Sequence, residues 1–64
     1  MIAYANMKDG YVEAYDESGN RLWSNYFGSA QIVGSTATTV SVKNDGYIEV
    51  YDENGSRVSS NYVG

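Results

Sequence analysis

The chain contains no cysteine, no histidine and no proline. Without cysteine it cannot be stapled by disulfides, and without cysteine and histidine it cannot build a thiolate or imidazole site for zinc or an iron–sulfur cluster. The missing histidine also removes the usual general base near neutral pH. No Ser–His–Asp or Cys–His nucleophile can be assembled, which leaves carboxylates, Lys8, Lys43 and tyrosines as reactive groups. With no catalytic pattern among them, the expectation is a non-enzymatic protein with no cofactor and no metal. Positive charge is scarce as well: four basic residues face eight acids, for a net charge of −4. That balance opposes phosphate neutralisation on nucleic acid and attraction to an anionic membrane. No apolar run of about 18 residues is present. Residues Met1 to Asn6 lack both a basic segment and an apolar core. The expected compartment is therefore the cytoplasm.

Sixty-four residues make one domain with a thin core. Small scaffolds without disulfides or metals turn to oligomerisation, and elimination points there. Seven tyrosines and seven glycines suit pleated strands joined by tight turns.

An internal repeat dominates the sequence. Asp9–Gly28 reads DGYVEAYDESGNRLWSNYFG and Asp45–Gly64 reads DGYIEVYDENGSRVSSNYVG, with 13 of 20 positions identical at an offset of 36. Most other changes are mild; the severe one is Trp23 to Ser59. The preceding lysines, Lys8 and Lys43, align if Asn44 is an insertion. The chain is thus read as a single domain over 1–64, with repeat 1 over about 2–34 and repeat 2 over about 38–64.

Each copy parses into strands. Tyr11–Tyr15 and Tyr47–Tyr51 alternate at period two, placing Val12 and Ala14 on one face and Tyr11, Glu13 and Tyr15 on the other. The segments Asp16-Glu17-Ser18-Gly19 and Asp52-Glu53-Asn54-Gly55 carry the preferences of a type I turn with a left-handed glycine. Return strands follow over Arg21–Phe27 and Arg57–Val63. Earlier strands are expected over Ile2–Lys8 and Thr38–Lys43, joined by Asp9-Gly10 and by Asn44-Asp45-Gly46 read as a longer turn. Between the copies, Ala30–Val33 forms one more strand, assigned to the first copy, before a loop over Gly34–Ala37. The second copy then lacks its fourth strand. From Leu22 to Val42 no residue is charged, and a strand-rich segment of that kind aggregates or is covered by a partner.

The expected fold is all-β, with about six to seven short antiparallel strands in two tandem quasi-equivalent repeats. Oligomerisation would complete it as a barrel, sandwich or propeller-like assembly.

Tyr15-Asp16-Glu17-Ser18-Gly19-Asn20-Arg21-Leu22 and Tyr51-Asp52-Glu53-Asn54-Gly55-Ser56-Arg57-Val58 share the pattern Y-D-x-x-G-x-R followed by an apolar residue. This resembles the tyrosine–aspartate hairpin repeats of Rhs-type proteins, about eight residues per copy. The resemblance implies hairpins of the kind that wind into a β-shell, although two copies are too few to make one and their spacing is longer than the family's. The two-copy layout is also similar to small lectins in which several chains complete one β-propeller. Neither likeness carries site residues.

Candidate ligand-binding residues come from what is duplicated. Tyr11, Glu13 and Tyr15 match Tyr47, Glu49 and Tyr51: tyrosines flanking a carboxylate can stack on and hydrogen-bond a polar ring, or simply make good cross-strand pairs. Arg21 and Arg57 sit beside the acidic loops Asp16-Glu17 and Asp52-Glu53 and can grip an anion or pair with those acids. Ser24-Asn25-Tyr26 and Ser60-Asn61-Tyr62 are unchanged between the copies, and their amide and hydroxyl groups, Asn25 and Asn61 foremost, can read a polar ligand or satisfy a strand edge. Trp23, without a counterpart, suits an interface anchor or the core equally. The acidic loops invite calcium, but turn chemistry explains their aspartates and glycines. The leading functional expectation is a homo-oligomeric module that binds or sequesters a small polar ligand, a sugar or nucleotide, at repeated or inter-subunit sites. The alternative is a small acidic inhibitor, of the kind phages encode, that covers a basic protein. The third is a purely structural module.

Overall fold

The computed structural model describes all residues, Met1–Gly64, and contains only strands. No helix is long and apolar enough to cross a membrane. The strands are β1 (Tyr4–Lys8), β2 (Tyr11–Tyr15), β3 (Arg21–Tyr26), β4 (Gln31–Ser35), β5 (Thr39–Asn44), β6 (Tyr47–Asp52) and β7 (Arg57–Tyr62). They form two antiparallel meanders, β1-β2-β3 and β4-β5-β6-β7, and no barrel closes within the chain.

The turns behave as their residues dictate. Asp9 and Asp45 both take φ of 52°, each followed by a glycine at positive φ (84° and 83°). This is the two-residue turn whose twist matches a hairpin. Lys8 pairs with Tyr11 and Asn44 with Tyr47. Asn44 is therefore not an insertion: it ends β5 as Lys8 ends β1, and the two copies stay in step across both strands. In the wider loops, one Asp16 carboxylate oxygen accepts from the backbone N–H groups of Ser18 and Asn20, both at 2.9 Å. Asp52 does the same for Asn54 and Ser56 at 2.8 and 3.0 Å. Gly19 and Gly55 take φ of 85° and 83°, and a register shift follows in each strand pair.

Two expectations are corrected. The segment after Val33 does not open into a loop at Gly34: β4 continues to Ser35, with a bulge between Ile32 and Gly34. The turn shrinks to Thr36–Thr38, where the Thr36 hydroxyl accepts from the N–H groups of Thr38 and Thr39. Nor does β4 belong to the first copy. It pairs with β5, so the second sheet has four strands and the first has three. The strand without a counterpart is β4, ahead of β5.

Cross-strand partners share a face, which settles what each sheet buries. In the first sheet Ala5 and Met7 stand opposite Ala14 and Val12, and Trp23 opposite Ala14. In the second, Val40 and Val42 stand opposite Tyr51 and Glu49. We call the Tyr–Glu–Tyr side of either sheet its front and the other side its back. The core joins the back of the first sheet (Val12, Ala14, Trp23) to the front of the second (Val40, Val42), with Tyr51 and Phe27 packed against it. Val12, Ala14, Val40 and Val42 are fully buried. The Tyr51 ring lies 5.8 Å from Trp23 and 5.4 Å from Phe27. Ile2 closes one end, its N–H donating to the Ala37 carbonyl, while the Met1 ammonium reaches Glu53 at 2.6 Å. Part of the uncharged Leu22–Val42 segment is thus covered within the chain.

Candidate functional site

The front of each sheet is a three-by-three grid set by hairpin register. In the first sheet the rows are Lys8–Tyr11–Tyr26, Asn6–Glu13–Ser24 and Tyr4–Tyr15–Arg21. In the second they are Asn44–Tyr47–Tyr62, Val42–Glu49–Ser60 and Val40–Tyr51–Arg57. Two columns are identical and only the first differs.

The repeated residues hold one another the same way twice. The Tyr15 hydroxyl donates to Glu13 Oε1 at 2.9 Å, and Arg21 Nη1 approaches Glu13 Oε2 at 3.4 Å. The corresponding distances for Tyr51, Arg57 and Glu49 are 3.1 and 3.3 Å. Both carboxylates are nearly enclosed, with side chains 11% and 13% exposed, so their oxygens need these donors. The Tyr15 phenol is held above its ordinary value of 10.0 mainly by its hydrogen bond to Glu13, with desolvation adding. Tyr51 is raised first by desolvation, because Trp23 and Phe27 cover it, and then by Glu49. Tyr11 and Tyr26 meet edge to face at 5.1 Å, as do Tyr47 and Tyr62.

On the first sheet this grid is open to solvent and encloses a depression of about 250 Å³. Its walls are Lys8, Asp9, Tyr11, Glu13, Arg21 and Ser24. The structure therefore brings together three of the expected residues (Tyr11, Glu13 and Arg21) with Tyr15 bracing Glu13 from behind. Tyr47, Glu49, Tyr51 and Arg57 repeat the pattern on the second sheet, but Tyr51 is packed into the core. Trp23 is 8% exposed, on the back of its sheet among core side chains, and is not available to a ligand. Asn25 is also on the back, where its amide donates to the Gly55 carbonyl at 3.5 Å. Asn61 occupies the matching place on the outward back of the second sheet, opposite Ile48.

Lys8 and Asp9 were not anticipated as site residues, and Ser24 was noted only for the hydroxyl of the repeated Ser-Asn-Tyr. The signal was present: once Asp9-Gly10 fixes a two-residue turn, Lys8 must stand beside Tyr11, and Ser24 follows opposite Glu13. Chemically the depression offers an ammonium, a guanidinium, a hydroxyl, two carboxylates and a tyrosine ring. Glu13, locked between a phenol and a guanidinium, is an acceptor in place more than a mobile proton carrier.

Comparison of the chain with protein-family models, with curated proteins and with solved structures gives no match.

Proposed function

We propose that this protein is a non-catalytic, self-associating binding module that captures a small polar ligand on the front of its sheets. A sugar is favoured over a nucleotide. The observation that carries this reading is the depression bounded by Lys8, Asp9, Tyr11, Glu13, Arg21 and Ser24, built on a grid that the chain repeats. Two cations balance two anions around it, so nothing concentrates the positive charge that a polyphosphate needs. A neutral polyol uses donors and acceptors together, and the half-exposed Tyr11 ring can stack on the apolar face of a pyranose. At about 250 Å³ the space is slightly below the range of roughly 300–1,000 Å³ found for drug-sized ligands, which suits one sugar ring. The mechanism is sequestration or multivalent recognition.

Calorimetric titration with a panel of monosaccharides and nucleotides tests the reading. Binding of a sugar should weaken up to about tenfold in Tyr11→Ala, the loss of one aromatic contact, and fall further in Lys8→Ala/Ser24→Ala. If no member of the panel binds, and the protein instead captures a basic protein in a salt-sensitive way, the ligand reading is lost to that of an acidic inhibitor.

A further inference from the structure

The contact between the two sheets is back-to-front, and such a contact leaves a matching back and front unused. The second sheet's back, built on Ile48, Val50, Ser59, Asn61 and Val63, is positionally equivalent to the first sheet's buried back of Val12, Ala14, Trp23, Asn25 and Phe27. It is uncovered: all of β7 is exposed, and Val58 and Val63 are 56% and 58% exposed. The first sheet's front, with Tyr4, Asn6, Glu13, Tyr15 and Gly19, is equivalent to the covered front of Val40, Val42, Glu49, Tyr51 and Gly55. No other sheet covers it: Tyr4, Asn6 and Gly19 are exposed and Tyr15 is half-buried, while Glu13 is enclosed by its own neighbours Tyr15 and Arg21.

We propose that the back of the second sheet docks on the front of the first sheet in another copy of this chain, in the arrangement the two sheets adopt within one chain. Five pairs of equivalent residues support that occupant. Asn25 donates to the Gly55 carbonyl inside the chain; Asn61 and Gly19 are the same residues at the same places, and both are free. A side chain on Gly55 would meet Trp23 at 3.2 Å, whereas one on Gly19 would meet nothing within 4 Å, so the surface Gly55 presents to Trp23 is presented by Gly19 to solvent. The sizes also exchange. The back loses bulk where Trp23 becomes Ser59 and Phe27 becomes Val63, while the front gains it where Val40 is replaced by Tyr4, stacked on Tyr15 at 5.0 Å. The bulk that Tyr4 adds to the front thus fills part of the space that Ser59 and Val63 leave on the back.

The contact would cover the Tyr4–Tyr15–Gly19 end of the front. It would leave the Tyr11–Ser24 end open, because the equivalent Tyr47 and Ser60 stay exposed within the chain. The depression then lies beside an inter-subunit seam. A back-to-front contact is heterologous, so repetition closes a ring or extends a filament.

The inference rests on the self-association in the proposed function but not on the ligand, and one experiment separates the two. Native mass spectrometry of the wild type should show a discrete multiple of 7.0 kDa. Ser59→Arg on the back and Tyr4→Glu on the front, both at exposed positions, should each give folded monomer by circular dichroism. Mixed together they should form a one-to-one heterodimer, since one intact back and one intact front remain. A monomeric wild type, variants that stay oligomeric, or two monomeric variants that fail to pair would each overturn the proposal. Sugar titration of the Ser59→Arg monomer reads the ligand site independently: binding there with a monomeric wild type would sink the assembly alone.

Discussion

Replacing Trp23 by serine, the residue its own repeat carries at Ser59, should nearly unfold the chain. The ring is 8% exposed, its edge rests on Gly55, and it fills the space between Ala14 and Tyr51. Deleting a buried aromatic costs about 3–5 kcal/mol. Native chains hold roughly 0.05–0.15 kcal/mol per residue, which for this length is about 3–10 kcal/mol in total. The substitution therefore removes between a third and all of the stability. Trp23→Phe should behave differently. The indole N–H is buried without a partner, a burden of about 1–3 kcal/mol that phenylalanine abolishes. That gain offsets most of the area lost with the smaller ring, leaving a change within about 1 kcal/mol. Urea unfolding followed by far-ultraviolet circular dichroism is the assay, since the only tryptophan is removed. Both variants belong in the Ser59→Arg background, because association makes stability depend on concentration. If serine leaves the midpoint unchanged, or phenylalanine costs as much as serine, Trp23 does not hold the sheets together as described.

The glycine pair gives a companion test: Gly55→Ala and Gly19→Ala share the same left-handed strain, but only the first drives a methyl group against the Trp23 ring. In the monomer Gly55→Ala should be the more destabilising, by roughly 1 kcal/mol or more on thermal unfolding. Tyr15 and Tyr51 have folded-state values raised above 10.0. Folding then favours the protonated phenols, so their contribution is complete below 10.0 and is lost as pH rises through the raised values. Phenolate absorbance should show a titration step above 10.0 that shrinks in Tyr15→Phe, with alkaline unfolding following it. Asp16 is the opposite case, held below 3.8 by the Asn20 N–H and then, against some desolvation, by that of Ser18. Its support is complete above 3.8 and fades as pH falls through the lowered value. The amide signals of Ser18 and Asn20 should shift over that acid range in the wild type and not in Asp16→Ala.

Most of the local structure was legible because each turn carries its own chemistry. Asp9-Gly10 and the Asp16–Gly19 loop specify their hairpins without tertiary help, and the strands between them alternate cleanly. The error at Gly34 has a local cause: a glycine next to serine and threonine reads as a loop, while in the fold it sits just after a bulge in a strand whose Thr36 hydroxyl makes the actual turn. The assignment of β4 to the first copy has the same cause. Its pairing with β5 runs through the tight Thr36–Thr38 turn, which the expected Gly34–Ala37 loop concealed. For the site, Tyr11, Glu13, Arg21 and the Ser24 hydroxyl stood out as repeated groups, while Lys8 needed the register before its place was visible.

Which face each sheet buries turns on the alignment of a single residue. With Asn44 treated as an insertion, Val40 and Val42 fall in line with Ala5 and Met7, and both copies bury the same side. With Asn44 in step they align with Tyr4 and Asn6, on the tyrosine side. A slip of one residue in a strand exchanges its two faces. Correctly aligned, the apolar residues preceding the hairpins have opposite parity in the two copies: Ala5 and Met7 point to the back, Val40 and Val42 to the front. Near-identical hairpins that bury opposite faces can meet only back-to-front. Contact of like faces would need the same parity in both. The strand before each hairpin, where the copies diverge most, is thus what sets the direction of stacking, and the conserved hairpins carry the surface that the stacking leaves free.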